Sequence, residues 1–132
     1  FDAFEQLLQG AAEMDEHFQN APASANVPIL AAFADLFYSQ RLGCETRGVF
    51  AYDERLRLLP SYLQQLVMES NGKSVTADGR PLGRTSSAIL WGGTGTDAQH
   101  AVFQLLHQGT RLAPVEFIAV AEGDDEQDPA HH

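Results

Sequence analysis

The chain has 132 residues, which is enough for one domain and rarely for two. Its hydrophobic fraction of 44% supports a packed core and argues against wholesale disorder. The 18 acidic and 8 basic residues give a net charge of −10, which argues against binding to nucleic acid or to an anionic membrane. An anionic substrate would have to be bound by local groups, because the overall field repels it.

The cysteine content and the length of the apolar runs indicate where in the cell the chain is expected. Cys44 is the only cysteine, so no internal disulfide can form and a reducing cytoplasm is expected. Cys44 is either a reactive thiol or a small buried hydrophobic residue. The most apolar run, 27–38, is too short to span a bilayer and is predicted to be a core helix. Because the first residue is Phe1 and not methionine, we expect a piece of a longer chain.

Two helices are predicted in the first third of the chain. The first has one face of apolar residues at helical spacing, which we expect to be buried. These residues are Phe1, Phe4, Leu7, Leu8, Ala11, Met14 and Phe18. The second helix is predicted from Val27 to Arg41, with Pro28 in its first turn and Gly43 after its end.

Three strands are predicted in the remainder, at Thr46–Tyr52, Ser87–Trp91 and Val115–Val120. Helices are predicted between them, so the pattern favours crossover units, a parallel sheet and an α/β fold. The first of these helices opens at Pro60 and ends near Glu69, with Gly72 as its terminator, and a turn follows at Asp78-Gly79.

The last predicted helix lies between the second and third strands and runs through Val102, Phe103, Leu105 and Leu106. Thr96 or Asp97 is expected to cap it, and Gly109 is expected to end it. An acidic surface segment, 123–128, follows the third strand.

Glu69 is a candidate proton-transfer residue. It ends one amphipathic helix beside polar residues, and parallel α/β proteins place their sites at the ends of strands and helices. Partial burial there would raise its pKa toward the range of a proton shuttle. The alternative is a solvated glutamate in the last helical turn.

His100 is the second candidate. Its predicted place in the first turn of a helix favours a neutral imidazole that can accept a proton. A carboxylate and an imidazole together can move protons within a small substrate. The alternative is a capping or surface histidine.

The glycine-rich segment 92–96 and the remaining polar residues give weaker signals. A strand, a glycine-rich turn and a helix start can bind an anion, or can simply form a tight turn that brings His100 close to a ligand. Lys73, the only lysine, is either an anion contact or a surface cation. No Cys/His cluster with zinc spacing exists, and His107 lies too far along the helix to share a metal ion with His100, so no metal site is predicted.

Glu69 and His100 lie in two distinctive segments, MESNGK at 68–73 and WGGTGTDAQHAVFQLLHQGT at 91–110. These segments resemble the two motifs of the glucose-6-phosphate isomerase (phosphoglucose isomerase) family that carry a catalytic glutamate and a catalytic histidine. Other segments are similar in the same order: FEQLLQGAAEMDEHF, NVPILAA, LGCET, AYDERL and DPAHH, the last of which favours native His131-His132 over a tag. Asp97-Ala98 and Gly93-Thr94 depart from the family's usual Asn-Gly and Glu-Pro.

The resemblance implies an aldose–ketose isomerase that interconverts glucose 6-phosphate and fructose 6-phosphate. Glu69 would move a proton between C2 and C1 through a cis-enediol, and His100 would assist ring opening. Gly95, Thr96 and Gln99 are candidate contacts to the sugar phosphate. No cofactor is implied. The full-length enzyme would be a homodimer in which His100 serves the partner's site.

The implied fold is a partial domain. Residues 1–132 would form part of a sugar-isomerase (SIS-type), flavodoxin-like α/β/α domain with about three strands and four or more helices. The phosphate-gripping loop and the other cationic groups would lie outside this chain, so we expect the isolated piece to be inactive. The alternative function is a non-catalytic SIS-type module that binds a phosphosugar or mediates association.

Overall fold

A computed structural model describes residues 1–121 of the chain. It contains two compact units, Phe1–Leu42 and Gly43–His132, the second of which is described as far as residue 121. The predictions for 123–128 and for His131-His132 lie outside the described residues.

The first unit is helical. It consists of α1 (Asp2–Asn20), α2 (Val27–Leu36) and a π-helical segment (Phe37–Arg41) that continues α2. The helical stretch therefore covers the predicted range 27–41, although its last turn has the wider π geometry. Gly43 follows with a φ of 70°, a left-handed conformation that suits glycine at a helix end.

Asn26 organises the connection between the two helices. It is fully buried, its side-chain oxygen accepts a 3.2 Å hydrogen bond from the Ile29 amide, and its side-chain nitrogen donates one of 2.8 Å to the Phe18 carbonyl. The Val27 amide donates to His17 Nε2 at 3.0 Å. Two of the free amides at the start of α2 are thus satisfied by side chains.

The apolar faces of the first two helices are exposed, and the expectation of buried faces was wrong for the described residues. Phe4, Leu7 and Phe33 are 59%, 67% and 66% exposed, and neither helix has a buried residue. Helical spacing determines which side chains share a face, whereas burial requires a packed partner.

The second unit is built on a parallel sheet. Its strands are β1 (Thr46–Ala51), β2 (Ile89–Thr94) and β3 (Val115–Ile118), in the order β2-β1-β3. The central strand is buried because it is covered on both edges and both faces, and its residues Val49, Phe50 and Ala51 are 0% exposed. Cys44, just before β1, is also buried. Its burial supports the interpretation of Cys44 as a small buried hydrophobic residue and not as a reactive thiol.

Two crossover helices cover the sheet. A short 3₁₀ turn (Glu54–Leu56) and α3 (Leu59–Asn71) connect β1 to β2, and α4 (Gly95–Gln108) connects β2 to β3. The two connections run in opposite directions across the sheet, so right-handed crossovers place α3 and α4 on opposite faces. The predicted three-layer α/β/α arrangement is therefore confirmed in this unit.

Side-chain alternation along β1 agrees with this arrangement. Phe50 contacts Phe103 of α4 with ring centroids 5.3 Å apart, whereas its neighbour Val49 points to the opposite face. Trp91 and Phe117 complete an aromatic cluster around Phe50 on the α4 face.

The second strand lies later in the sequence than predicted. The prediction Ser87–Trp91 ended it before Gly92-Gly93, but β2 runs to Thr94, and Gly92 pairs with Val49. At Gly92 the φ is 153°, and a Cβ would collide with the Val49 backbone carbonyl. Glycine is needed here for a close backbone approach inside the strand and not for a turn.

The turn at Asp78-Gly79 is confirmed. The Gly79 amide donates to the Thr76 carbonyl at 2.9 Å, and Gly79 has a φ of 79°. An antiparallel bridge between Val75 and Pro81 closes the turn.

Candidate functional site

The carboxyl edge of the sheet forms a crevice between β1 and β2. Ala51 and Thr94, the last residues of these strands, are paired in the register. The chain leaves β1 toward α3 on one face and leaves β2 toward α4 on the other. Ligands of open α/β sheets bind at such a reversal of strand order.

Tyr52 and the start of α4 meet at this edge. A Cβ at Gly95 would lie 2.6 Å from the Tyr52 ring, so the ring packs directly on the glycine backbone. Gln99 Nε2 donates a 2.6 Å hydrogen bond to the Tyr52 hydroxyl. Two of the three candidate substrate contacts, Gly95 and Gln99, are therefore brought together by a residue that the sequence had not singled out.

The cap of α4 differs from the prediction. The helix begins at Gly95 with Thr94 as its N-cap, and the Thr94 side chain makes no capping hydrogen bond. Thr96 and Asp97, the predicted caps, lie inside the first turn and are exposed. The strand continues directly into the helix, so no loop remains for the anion-binding turn considered from the sequence. Asp97 still interacts favourably with the helix N-terminus.

His100 lies one turn later than expected. Because α4 begins at Gly95, His100 is in the second helical turn, beyond the first-turn range of the helix dipole. The predicted position of His100 in the first helical turn was therefore wrong. The side chain is exposed and accessible to a ligand.

Glu69 lies in the last turn of α3 and is exposed, as the alternative of a solvated glutamate in the last helical turn predicts. Lys73 Nζ donates a 2.6 Å hydrogen bond to the Glu69 backbone carbonyl. The helix ends at Gly72, where a Cβ would collide with the Met68 carbonyl, which confirms the predicted terminator. The Glu69 carboxylate itself faces solvent.

The two candidate acid/base residues are far apart within the chain. Since α3 connects parallel strands, it runs back from the carboxyl edge of the sheet to the amino edge. Glu69 lies roughly 15 Å along α3 from Leu59, whereas His100 lies roughly 8 Å from the start of α4 at the carboxyl edge. With the helices on opposite faces, Glu69 and His100 do not converge on one site within the chain.

A shallow, open cleft of about 300 Å³ lies between β2 and the first turns of α4. It is lined mainly by apolar groups, including Phe50, Trp91 and Ala101, and by Asp97. Neither Glu69 nor His100 lines it. The cleft is therefore not a site that brings the two candidate acid/base residues together.

Residues 1–121 contain neither a cluster of metal-binding side chains nor a helix that could span a membrane. This part of the chain holds no group of three or more His, Cys, Asp or Glu side chains placed to bind a metal ion. It also contains no helix that is both long and apolar enough to cross a bilayer.

Comparison with known proteins gives a consistent result. The model of the phosphoglucose isomerase family matches residues 1–132. Glucose-6-phosphate isomerases from Rhizorhabdus wittichii and Sphingopyxis alaskensis are 70% and 68% identical over the whole chain. The chain spans only 26% of the length of each of these relatives.

The solved structures that are similar to this chain include a protein of the same kind as the sequence comparisons found. A glucose-6-phosphate isomerase from Chlamydia trachomatis is similar with a TM-score of 0.82 and 42% identity, covering 88% of this chain and 22% of that one. The hypothetical protein TT0462 from Thermus thermophilus has a TM-score of 0.66 at 25% identity, covering 94% of this chain and 30% of that one. The match of the family model to every residue, with relatives at this identity, shows that the chain belongs to the phosphoglucose isomerase family.

Proposed function

We propose that this chain is one part of a longer aldose–ketose isomerase that interconverts glucose 6-phosphate and fructose 6-phosphate. The observation that carries the proposal is the exposure of both Glu69 and His100, the two residues whose motifs resemble the family's acid/base motifs. Solvent-facing side chains can contact a ligand, whereas buried ones could not.

In this mechanism Glu69 is the base that moves a proton between C2 and C1 through a cis-enediol. Its exposed carboxylate has to become enclosed by substrate and by further protein before proton transfer is efficient. His100 assists ring opening by transferring a proton at the ring oxygen. The reaction is redox-neutral overall, and no cofactor is proposed.

The separation of the two residues supports a dimeric enzyme. Because Glu69 and His100 of one chain lie on opposite faces of the sheet, a single chain cannot supply both to one sugar. A symmetric homodimer can combine Glu69 of one subunit with His100 of the other, forming two equivalent sites. The remaining proposals are that residues 1–132 form a partial SIS-type domain and that the enzyme is cytoplasmic.

The test is the Glu69→Gln variant of the full-length protein in a coupled assay of fructose 6-phosphate conversion. Loss of a general base is expected to lower kcat by at least 10²-fold. Binding of 6-phosphogluconate, followed by thermal shift, is expected to stay within about threefold of wild type, since the amide keeps the shape of the carboxyl group. Glu54→Gln, an exposed glutamate paired with Arg57, is the matched control and is expected to keep wild-type activity.

Two outcomes would contradict the proposal. Unchanged turnover in Glu69→Gln would remove Glu69 from the mechanism. A wild-type protein that binds 6-phosphogluconate without isomerising fructose 6-phosphate would favour the non-catalytic phosphosugar-binding module. The isolated chain is expected to have negligible activity in the same assay.

A further inference from the structure

We propose that Tyr52 is a positioning residue that fixes the first two turns of α4 and, through them, the location of His100. The proposal rests on the role of His100 proposed above. It assigns Tyr52 no contact with substrate and no proton transfer.

The main chain at Tyr52 is firmly held. Its amide donates a 2.7 Å hydrogen bond to the Ile118 carbonyl of β3, and the preceding residue, Ala51, is fully buried in the central strand. The Tyr52 ring also lies near Phe117, with ring centroids 6.0 Å apart. The side chain therefore projects from the best-packed part of the sheet.

The Tyr52 side chain holds α4 at two places one turn apart. The ring packs on Gly95, the first residue of the helix, and the hydroxyl accepts the Gln99 hydrogen bond. Residues at i and i+4 lie above one another on a helix, so one aromatic side chain fixes both the position and the rotation of this turn. His100 follows Gln99 directly, so its direction depends on that rotation.

Within residues 1–121, side-chain capping at the start of α4 does not supply this restraint. Thr94 makes no side-chain cap, and Thr96 and Asp97 are exposed. A small rotation of α4 would displace the His100 imidazole by more than proton transfer tolerates, because a misplacement of about 1 Å can cost 10²-fold in rate.

The first measurement compares Tyr52→Phe and Gln99→Leu in the full-length protein. Tyr52→Phe removes the hydroxyl and keeps the ring on Gly95, whereas Gln99→Leu removes the donor and keeps the tyrosine. Each is expected to lower kcat for fructose 6-phosphate by about five- to tenfold, with KM within twofold of wild type. The double variant is expected to be no slower than the slower single variant, because both changes break one hydrogen bond.

The second measurement places Tyr52→Phe in a His100→Ala background. His100→Ala alone is expected to lower kcat by 10²-fold or more. If Tyr52 acts through His100, adding Tyr52→Phe changes kcat by less than twofold. A general loss of structure would instead lower activity in both backgrounds and would also lower the melting temperature.

These outcomes distinguish the proposed role of His100 from the proposed positioning role of Tyr52. If His100→Ala keeps wild-type turnover, the proposed role of His100 fails and the positioning role fails with it. If His100→Ala is impaired while Tyr52→Phe is not, the positioning role alone is overturned. A rise in KM at unchanged kcat, additive effects of Tyr52→Phe and Gln99→Leu, or a further loss in the His100→Ala background would also overturn it.

Discussion

The Lys73 ammonium group lies 2.6 Å from the backbone carbonyl oxygen of Glu69, so the only lysine of the chain caps the helix that carries the candidate base. A cation at a helix C-terminus interacts favourably with the helix dipole and with the last free carbonyls. This contact favours the interpretation of Lys73 as a surface cation that stabilises the helix end.

Lys73→Met is therefore expected to leave the KM for fructose 6-phosphate within twofold of wild type. The melting temperature of the full-length protein is expected to fall slightly, since an exposed helix-end cation contributes about 0.3–1 kcal/mol. Steady-state kinetics and thermal unfolding measure the two effects. A tenfold rise in KM would show that Lys73 contacts the substrate anion instead.

Mixing two inactive variants tests whether Glu69 and His100 of one chain serve different sites. In a heterodimer of Glu69→Gln with His100→Ala, one site has lost both residues and the other keeps both. Refolding an equal mixture is expected to restore roughly a quarter of wild-type activity, because half the dimers are mixed and each has one intact site. The control is the Glu69→Gln, His100→Ala double variant mixed with Glu69→Gln. No chain in this control carries Glu69, so it restores nothing under either arrangement. If the Glu69→Gln and His100→Ala mixture regains no activity, the two residues of one chain do not serve different sites.

Gly92→Ala is expected to destabilise the protein by at least about 3 kcal/mol, because the new Cβ would collide with the Val49 carbonyl at a backbone conformation that suits only glycine. Denaturant unfolding of the full-length protein measures the loss. Gly10→Ala is the matched control. Gly10 lies in α1 with nothing within 4 Å of the added Cβ, so it is expected to gain about 0.5–1 kcal/mol. Equal stability of the two variants would contradict the close approach of β1 and β2.

Asp78 gives a prediction about pH. The Thr76 hydroxyl donates to its carboxylate at 2.6 Å and Arg80 pairs with it, and both hold the pKa of Asp78 below its ordinary value of 3.8. A lowered folded-state pKa means that the charged carboxylate stabilises the fold at pH values above 3.8, and that this contribution is lost as the pH falls through the lowered value.

Asp78→Asn is therefore expected to destabilise the protein slightly at pH 6 and progressively less below the ordinary pKa of 3.8. Denaturant midpoints of wild type and variant at several pH values measure the difference. Thr76→Val is expected to reproduce part of the effect. A difference that grows as the pH falls would contradict the assigned direction of the pKa shift.

Much of the fold follows from local sequence. The order of helices and strands, the parallel sheet, the terminator Gly72 and the turn at Asp78-Gly79 are all determined by spacing, by glycine and by turn chemistry close to each position. The boundary of β2 was missed because glycine in isolation favours a turn, and only pairing with Val49 shows why the strand continues through Gly92.

The candidate site was only partly predictable. Glu69 and His100 are identified by their motifs, and Gly95 and Gln99 by their place beside them. Tyr52 was not singled out, although it lies in the segment AYDERL. The available signal was its position at the end of the predicted strand Thr46–Tyr52, where parallel sheets place functional groups. Its contact with Gln99 joins residues 47 positions apart, and such a contact exists only after β1 and β2 have paired.

The amino-acid sequence determined which residues are candidates for proton transfer and which stretches become helix or strand, because both depend on side-chain chemistry and short-range spacing. Only the tertiary structure decided that Glu69 and His100 are exposed and lie on opposite faces, since burial and direction depend on how elements far apart in the chain pack. The crossover of α3 and α4 over one parallel sheet separates the two residues, and this separation supports the proposal that they serve two different sites.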